Sequence, residues 1–292
     1  MSEKAVIGFV GIGVMGRSMA GHLLTAGYPV HVFNRTKEKA QALLDRGAVW
    51  QGSAGDVAAV VDVVITIVGF PQDVEAVYLG DGGIVERAKP GATVIDMTTS
   101  SPDLAVRIYE SAKAKGIAAI DAPVSGGDIG AKEARLSIMV GGDSDAFEKM
   151  KPIFEVMGKN IVLQGGAGAG QHTKMSNQVA IASGMMAICE AMAYAKKSGL
   201  DPETVLKSIG SGAAGSWSLT NLAPRILKGD YAPGFFVKHF LKDMRIAIES
   251  AESMKLELPG LALAKQLYDR LAASGGENDG TQALFKLYEE QL

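Results

Sequence analysis

The stretch that decides the fold is Ala5-Val6-Ile7-Gly8-Phe9-Val10-Gly11-Ile12-Gly13-Val14-Met15-Gly16. Its apolar first half has the composition of a short buried strand, and the turn that follows matches G-x-G-x-x-G. Apolar residues at helical spacing then continue to Gly27, and a second strand is predicted over Pro29–Asn34. In this setting the first glycine allows a tight turn, the second lets a pyrophosphate approach the backbone, and the third lets helix pack on strand. The pattern predicts a dinucleotide site.

The phosphates of the dinucleotide are expected on the N–H groups at the start of the helix. The alternative is a glycine-rich turn that only packs a helix on a sheet, and the strand and helix on either side of the turn argue against it. The expected cofactor contacts in the turn are Gly11, Ile12, Gly13, Val14 and Met15.

The end of the second strand indicates which dinucleotide binds. A site for NAD usually has Asp or Glu here to accept the ribose 2′-OH, whereas this chain has Asn34-Arg35-Thr36 with no carboxylate nearby. The planar cation of Arg35 suits a 2′-phosphate, and the Thr36 hydroxyl is suited to donate to it. We therefore expect a preference for NADP(H). NAD(H) is the alternative, with Asn34 holding the 2′-OH and Arg35 in solvent.

The composition is that of an ordinary globular protein. The chain has 292 residues, 47% hydrophobic and 21% charged, which is enough for two domains. A net charge of −3 gives no reason to expect nucleic acid or an anionic membrane as partner. A single cysteine, Cys189, excludes an internal disulfide and fits the cytoplasm. No signal peptide, membrane span or metal-ligand spacing is expected.

Predicted strands and helices alternate through the first half of the chain, which is typical of a doubly wound α/β sheet of Rossmann type. Helices are predicted between most strands, for example over Thr36–Arg46 and Pro102–Lys115. The predicted strands are Ala5–Val10, Pro29–Asn34, Val63–Val68, Thr93–Met97, Ala118–Ala122, Leu136–Val140 and Ile161–Leu163.

From the glycine break at 165–170 onward the sequence predicts only helices. We expect a cofactor domain over residues 1–164 and an all-α domain over 165–292 for substrate and oligomerisation. The second domain begins with one long apolar helix, Gln171–Ser198, which is expected to be buried between domains or subunits of a homodimer or homotetramer. The other predicted helices are Pro202–Ile209, Trp217–Leu227, Val237–Met254, Pro259–Ala273 and Thr281–Glu290.

Ligands of an open α/β sheet bind outside the carboxyl ends of its strands. Three segments fall there: Thr66–Pro71, with Val68 as a cofactor contact, then Asp96–Pro102, then Asp121–Gly127. The hydroxyls of Thr98 and Ser100 suit helix capping and ligand contact equally.

Two further features suit catalysis on a carboxylate. The loop Ser125-Gly126-Gly127 offers a hydroxyl and unobstructed backbone N–H groups, which can hold an anion or form a plain turn. Lys174, Asn177 and Gln178 share one helix face. A lysine on such an apolar helix suits proton transfer, since desolvation lowers a lysine pKa from its usual value of about 10.4. The alternative is a lysine that reaches the surface.

Taken together, these segments resemble the β-hydroxyacid dehydrogenase family, which includes 3-hydroxyisobutyrate dehydrogenases, tartronate semialdehyde reductases and glyoxylate/succinic semialdehyde reductases. The resemblance covers essentially the whole chain. It is carried by four ordered motifs: residues 8–16, Asp121–Gly127, Gly165–Asn177 and Lys242-Asp243.

The resemblance implies a role for each matching residue. Lys174 would be the general acid/base, and Ser125, Gly126 and Gly127 would hold the substrate carboxylate. Asn177 would orient the substrate, Thr99 would contact the cofactor, and Lys242 would close over cofactor and substrate. Gln178 stands where the decarboxylating sugar-phosphate relatives have asparagine, which argues against decarboxylation.

The expected activity is therefore reduction of a small carboxylate-bearing aldehyde, such as a semialdehyde or glyoxylate, with NADP(H). The alternative is oxidation of 3-hydroxyisobutyrate or a related β-hydroxy acid with NAD. A non-catalytic cofactor-binding protein and an imine reductase are further options, and the presence of Lys174 argues against both.

Overall fold

The computed structural model describes residues 4–289 and 291–292. Glu290, the expected end of the last helix, and residues 1–3 at the start of the expected first domain lie outside the described residues. The chain forms two compact units, of which the first ends at Lys174 and the second begins at Met175. This division falls later in the chain than the expected boundary at 164/165, inside the long helix that both units share.

The first unit contains one nine-stranded sheet with the order β3-β2-β1-β4-β5-β6-β8-β7, and β9 pairs with β8. The six strands β1 to β6 run parallel to one another. Their order in the sheet is 3-2-1-4-5-6, which is that of a doubly wound dinucleotide-binding sheet. Strand β8 is antiparallel to β6 and β7. The strands are β1 (Ile7–Val10), β2 (Val30–Phe33), β3 (Val49–Trp50), β4 (Val63–Thr66), β5 (Thr93–Asp96), β6 (Ala118–Asp121), β7 (Val124–Ser125), β8 (Leu136–Gly141) and β9 (Gly158–Gly165).

Helices cover both faces of this sheet, so its central strands are buried throughout. Ile65 and Ile95 pack into one core cluster, whereas their neighbours Val64 and Val94 pack into another. The helices of the first unit are α1 (Val14–Thr25), α2 (Gln41–Leu44), α3 (Ala54–Val60), α4 (Pro71–Leu79), α5 (Ile84–Arg87), α6 (Pro102–Lys113), α7 (Gly127–Lys132) and α8 (Ser144–Phe154).

Helix α9 (Ala169–Lys197) begins in the first unit and continues into the second. The second unit is helical, and its described residues form no strand beyond an isolated bridge between Phe236 and Gly280. Its helices are α10 (Pro202–Gly210), α11 (Trp217–Asn221), α12 (Ala223–Leu227), α13 (Val237–Ser253), α14 (Pro259–Ala273) and α15 (Lys286–Glu289). The predicted fold class, a Rossmann sheet followed by an all-α domain, is confirmed.

Several predicted elements differ in detail. The sequence predicts neither β3 nor β7, and the predicted helix Thr36–Arg46 is a 3₁₀ turn, Lys37–Ala40, followed by α2. The predicted helix Trp217–Leu227 breaks into α11 and α12, because Pro224 lacks an N–H group and its ring clashes with the preceding turn. The last predicted helix starts as a 3₁₀ segment, Thr281–Phe285.

Helix α9 corrects one expectation. The sequence predicts no segment suited to a membrane span, yet α9 is long and apolar enough for one by length and composition. The core helices of soluble proteins meet the same two criteria. Length and composition alone therefore do not identify α9 as a membrane span.

Candidate active site

The three glycines of the turn after β1 have different surroundings. Gly11 has φ +100°, and a Cβ atom there would lie 2.1 Å from the carbonyl oxygen of Ile67. At Gly16 an added Cβ would lie 2.0 Å from the Gly11 carbonyl oxygen. Gly13, the residue before α1, has no atom within 4 Å of an added Cβ. Gly11 and Gly16 are therefore required by the fold, whereas Gly13 leaves open space at a helix N-terminus, as a pyrophosphate requires.

Asn34 holds this turn against the end of β2. The backbone N–H of Ile12 donates to Asn34 Oδ1 (2.9 Å), and Asn34 Nδ2 donates to the carbonyl oxygen of Thr36 (2.8 Å). The side-chain amide thus stabilises the glycine turn and the turn that follows β2. A ribose 2′-OH would share the Oδ1 atom with the Ile12 N–H, because an amide oxygen can accept two hydrogen bonds.

The structure corrects the expectation that no carboxylate lies near the end of β2. Arg35 Nη1 lies 3.3 Å from Asp73 Oδ1, and the Arg35 side chain is 83% exposed. The other oxygen of Asp73 accepts a hydrogen bond from the N–H of Phe70 (3.0 Å) at the start of α4. Exposed ion pairs of this kind contribute little free energy, so Arg35 keeps the capacity to bind a phosphate.

The ends of β4 and β5 are joined through Thr98. Its hydroxyl accepts a hydrogen bond from the Val68 N–H (2.9 Å), and its own N–H donates to Asp96 Oδ1 (3.0 Å). Thr98 therefore links two strand ends and caps no helix. Ser101 caps α6 instead, since its hydroxyl accepts from the Leu104 N–H. Thr99, the expected cofactor contact, lies half-buried between these anchored residues.

Asp96 is buried, and burial is the main reason why its pKa rises from the ordinary 3.8 to about 6. Hydrogen bonds from Thr98 and from Thr66 Oγ1 (2.9 Å) oppose this rise. A carboxyl group with a higher pKa in the folded protein stabilises the fold most below pH 3.8. It loses that contribution, about 3 kcal/mol, as the pH rises to about 6.

We expect Asp96→Asn to keep the fold and to remove this loss, so that it gains stability relative to the parent protein between pH 4 and pH 7. Urea unfolding across this range measures the difference. Asp201→Asn is the control, because hydrogen bonds from Thr204 lower the pKa of Asp201. Its contribution is then already present above the ordinary pKa of 3.8, so its difference from the parent should stay nearly constant over most of this range. A difference between Asp96→Asn and the parent that stays constant with pH would contradict the assignment.

The expected anion loop is part of two short elements. Ser125 ends β7 opposite Ser137 of β8, and α7 begins at Gly127. Gly126 and Gly127 have φ +131° and +63°, a conformation that L side chains rarely adopt. Ser125 and Gly127 are half-buried and Gly126 is exposed, so the backbone of this segment is open to a ligand.

Asp121 anchors the start of helix α9. Its Oδ1 accepts from the Gly168 N–H (2.8 Å), and its Oδ2 accepts from the Gln171 N–H (2.8 Å). A carboxylate at a helix N-terminus is favoured by the helix dipole, although burial raises the pKa of Asp121. At Gly170 an added Cβ would lie 2.4 Å from the Met139 carbonyl oxygen. The glycine break thus lets α9 begin directly against the sheet.

This anchored helix carries Lys174 in its second turn, and the Lys174 side chain is only 7% exposed. The alternative interpretation, a lysine that reaches the surface, is therefore wrong. Asp121 belongs to one of the four sequence motifs, but the motif alone indicates no role for it. The structure gives it one, as the group that fixes the helix bearing the proposed general acid.

In the second unit, a chain of polar contacts links the remaining expected site residues. Asn177 Nδ2 donates to Gln178 Oε1 (2.7 Å), and Gln178 Nε2 donates to Asp243 Oδ2. The other carboxylate oxygen of Asp243 lies 3.1 Å from Lys242 Nζ, with both side chains buried. Gln178 therefore connects Asn177 to the Lys242-Asp243 pair.

The expected cofactor contacts of the first unit gather at the carboxyl ends of its parallel strands. The contacts described above join Ile12 to Asn34 and Val68 to the segment that contains Thr99. Thr36 is exposed, and its carbonyl oxygen accepts the hydrogen bond from Asn34.

Within residues 4–289 and 291–292, no three His, Cys, Asp or Glu side chains are grouped as metal ligands.

Comparison with known proteins assigns both parts of the chain. Residues 6–166 match the NAD binding domain of 6-phosphogluconate dehydrogenase, and residues 168–288 match the NAD-binding region of NADP-dependent 3-hydroxyisobutyrate dehydrogenase. The chain is 62% identical to an uncharacterized oxidoreductase of Bacillus subtilis, over 98% of this chain and 99% of the relative. It is 39% identical to the 2-hydroxy-3-oxopropionate reductase of Escherichia coli, over 97% of each chain.

A solved structure gives the same assignment. Mycobacterium tuberculosis 3-hydroxyisobutyrate dehydrogenase with L-serine superposes with a TM-score of 0.90 at 30% identity, over 97% of this chain and 98% of that chain. These matches confirm the expected enzyme class, an NAD(P)-dependent oxidoreductase that acts on hydroxyl groups. The chain belongs to the β-hydroxyacid dehydrogenase family.

Proposed function

We propose that this enzyme reduces a small aldehyde bearing a carboxylate, with NADPH as the preferred cofactor. The observation that carries the cofactor preference is the end of β2. The amide oxygen of Asn34 is engaged by the Ile12 N–H, and the neighbouring Arg35 is an exposed cation held by a weak ion pair. A 2′-phosphate would gain a charge-assisted hydrogen bond from Arg35, which a 2′-OH cannot match.

We infer the substrate class from the expected substrate-binding residues. We assign Ser125, Gly126 and Gly127 to the substrate carboxylate, because this segment combines a hydroxyl with the exposed backbone of Gly126 and the half-buried backbone of Gly127. From the family resemblance we assign Asn177 the role of orienting the substrate. We assign Lys242 the role of closing over cofactor and substrate. The compounds named with the E. coli and M. tuberculosis relatives all carry a carboxylate at C1 and an oxygen function at C3. A three-carbon semialdehyde fits this pattern.

The proposed chemistry divides between cofactor and protein. A bound nicotinamide supplies or accepts the hydride. Lys174, held in place through the Asp121 anchor of α9, donates a proton to the substrate oxygen as the carbonyl is reduced. In the reverse direction neutral Lys174 removes the hydroxyl proton.

The second candidate function is oxidation of 3-hydroxyisobutyrate or a similar β-hydroxy acid with NAD. The observation that favours it is the Asp73 carboxylate beside Arg35, since a carboxylate at this end of the sheet suits a ribose hydroxyl and repels a phosphate. Steady-state kcat/KM with both cofactors separates the two functions. The panel should contain tartronate semialdehyde, succinic semialdehyde, glyoxylate, 3-hydroxyisobutyrate and L-serine, with methylglyoxal as the control that lacks a carboxylate.

We expect Arg35→Ala to raise the KM for NADPH by about 10-fold or more, because a hydrogen bond between charged groups is lost. The kcat/KM for NADH should stay within about threefold of the parent value, since NADH has no 2′-phosphate. Arg107→Ala is the matched control, as Arg107 is also an exposed arginine in an ion pair, with Glu75. Equal losses with both cofactors would contradict the assignment of Arg35.

A further inference from the structure

One side chain ties the start of helix α9 to the segment that follows β5. Gln171 is fully buried, at 0% exposure. Its Oε1 accepts a hydrogen bond from the Ser100 N–H (2.9 Å), and its Nε2 donates to the Thr98 carbonyl oxygen (2.7 Å). A single amide therefore holds the residues on both sides of Thr99.

The position of Gln171 in α9 places this link close to the proposed proton donor. Gln171 lies one helical turn before Lys174, and residues separated in this way share a helix face. Its backbone N–H is also one of the two groups that Asp121 accepts. The first turn of α9 is thus fixed to β6 through Asp121 and to the 98–100 segment through the Gln171 amide.

The 98–100 segment is itself tied to the expected cofactor contacts, since the Thr98 hydroxyl accepts the Val68 N–H and the Thr98 N–H donates to Asp96. A continuous series of hydrogen bonds therefore runs from Val68 through Thr98 to Gln171 and the helix that bears Lys174. The rate of a reaction falls steeply when the relative placement of the reacting groups changes by about 1 Å.

We propose that Gln171 is a positioning residue. Its amide sets the distance between the cofactor segment around Thr99 and the proton-donating Lys174. This inference rests on the proposed role of Lys174. It extends that role by naming the group that fixes the position of the proton donor relative to the cofactor segment.

Gln171→Ala and Gln171→Glu test this role in complementary ways. Both variants should lower kcat by about 10-fold or more, with a smaller change in KM and a larger deuterium isotope effect on hydride transfer. The glutamate variant keeps the acceptor for Ser100 but faces the Thr98 carbonyl oxygen with a second acceptor. Its activity should recover at pH 6 relative to pH 8, because a protonated carboxyl group can again donate to Thr98. The charged neighbours act in both directions. Asp96 and Asp121, which accept from the Thr98 N–H and the Gln171 N–H, favour that protonation, whereas Lys174, one turn along α9, opposes it.

Gln282→Ala is the matched control. Gln282 is also buried, and its Nε2 donates to two backbone carbonyl oxygens, those of Asp230 and Ala232. Both alanine variants remove one buried amide and should lower the free energy of unfolding by a similar amount, about 1–3 kcal/mol. Only the Gln171 variants should lower kcat per folded molecule. Amide hydrogen exchange without cofactor gives an independent measure. Ser100 N–H should lose protection in Gln171→Ala, and it should keep its protection in Gln282→Ala and in Gln171→Glu, which retains the acceptor.

The outcomes separate this proposal from the function on which it rests. If Lys174→Ala loses turnover and the Gln171 variants keep kcat within threefold, the positioning role is wrong and the proposed function stands. A loss that Gln282→Ala reproduces, with no recovery of the glutamate variant at low pH, makes Gln171 a stability residue and overturns the proposal. If Lys174→Ala keeps its turnover, the proposed function and the positioning role both fail.

Discussion

Lys174→Ala is expected to lower kcat about a hundredfold or more, which is the usual range for loss of a general acid or base. The reason lies in the placement of the side chain. Lys174 is buried on a helix whose first turn is bound by Asp121, so its side chain is shielded from solvent and the helix that carries it is fixed. An alanine leaves the substrate oxygen without a proton donor while the helix anchor remains.

Two further variants define what Lys174 supplies. Lys174→Arg keeps a positive charge but does not release a proton at neutral pH, so it should be impaired as well if proton transfer matters more than charge. Lys197→Ala removes an exposed lysine at the other end of the same helix and should turn over normally. NADPH binding, followed by its fluorescence, should be unchanged in all three. Near-normal kcat in Lys174→Ala would exclude the proposed role.

The sequence predicts best those parts of the fold whose residues are buried on both sides. Strands β1, β4 and β5 are buried at every position and mostly apolar, because helices cover both faces of the sheet. Strands β3 and β7 have two residues each, too few for any periodicity, and they form only by pairing with β2 and β8. Their existence depends on contacts that the local sequence does not contain.

The candidate site shows the same division between local and distant information. Arg35 and Asn34 are predictable because they follow a strand at a fixed place after the glycine turn. The partners of the site residues are not predictable, because they lie far away in the sequence. Asp73 lies 38 residues from Arg35 in the sequence, and Gly168 lies 47 residues from Asp121. The motif residues are therefore visible in the sequence, whereas the side chains that hold them in place are identified only once the chain has folded.

The glycine turn permits a test that separates folding from cofactor binding. We expect Gly11→Ala to destabilise the protein by about 4 kcal/mol or more, which places it among the most damaging single substitutions. The added Cβ would lie 2.1 Å from the Ile67 carbonyl oxygen, and φ of +100° is strained for any L side chain. The loss should appear as a lower urea midpoint or as insoluble protein, and cofactor should rescue it poorly.

Gly13→Ala should have the opposite profile. Its φ of −85° suits alanine, and no atom lies within 4 Å of the added Cβ, so the free energy of unfolding should change by about 1 kcal/mol or less. The same methyl group would occupy the space through which a pyrophosphate approaches the start of α1, so the Kd for NADPH should rise by about 10-fold or more. Urea unfolding without cofactor and a fluorescence titration with NADPH measure the two quantities on one protein. Unchanged affinity in Gly13→Ala would mean that the phosphates bind elsewhere, and the assignment of the glycine turn as the cofactor site would then be wrong, however stable the variant is.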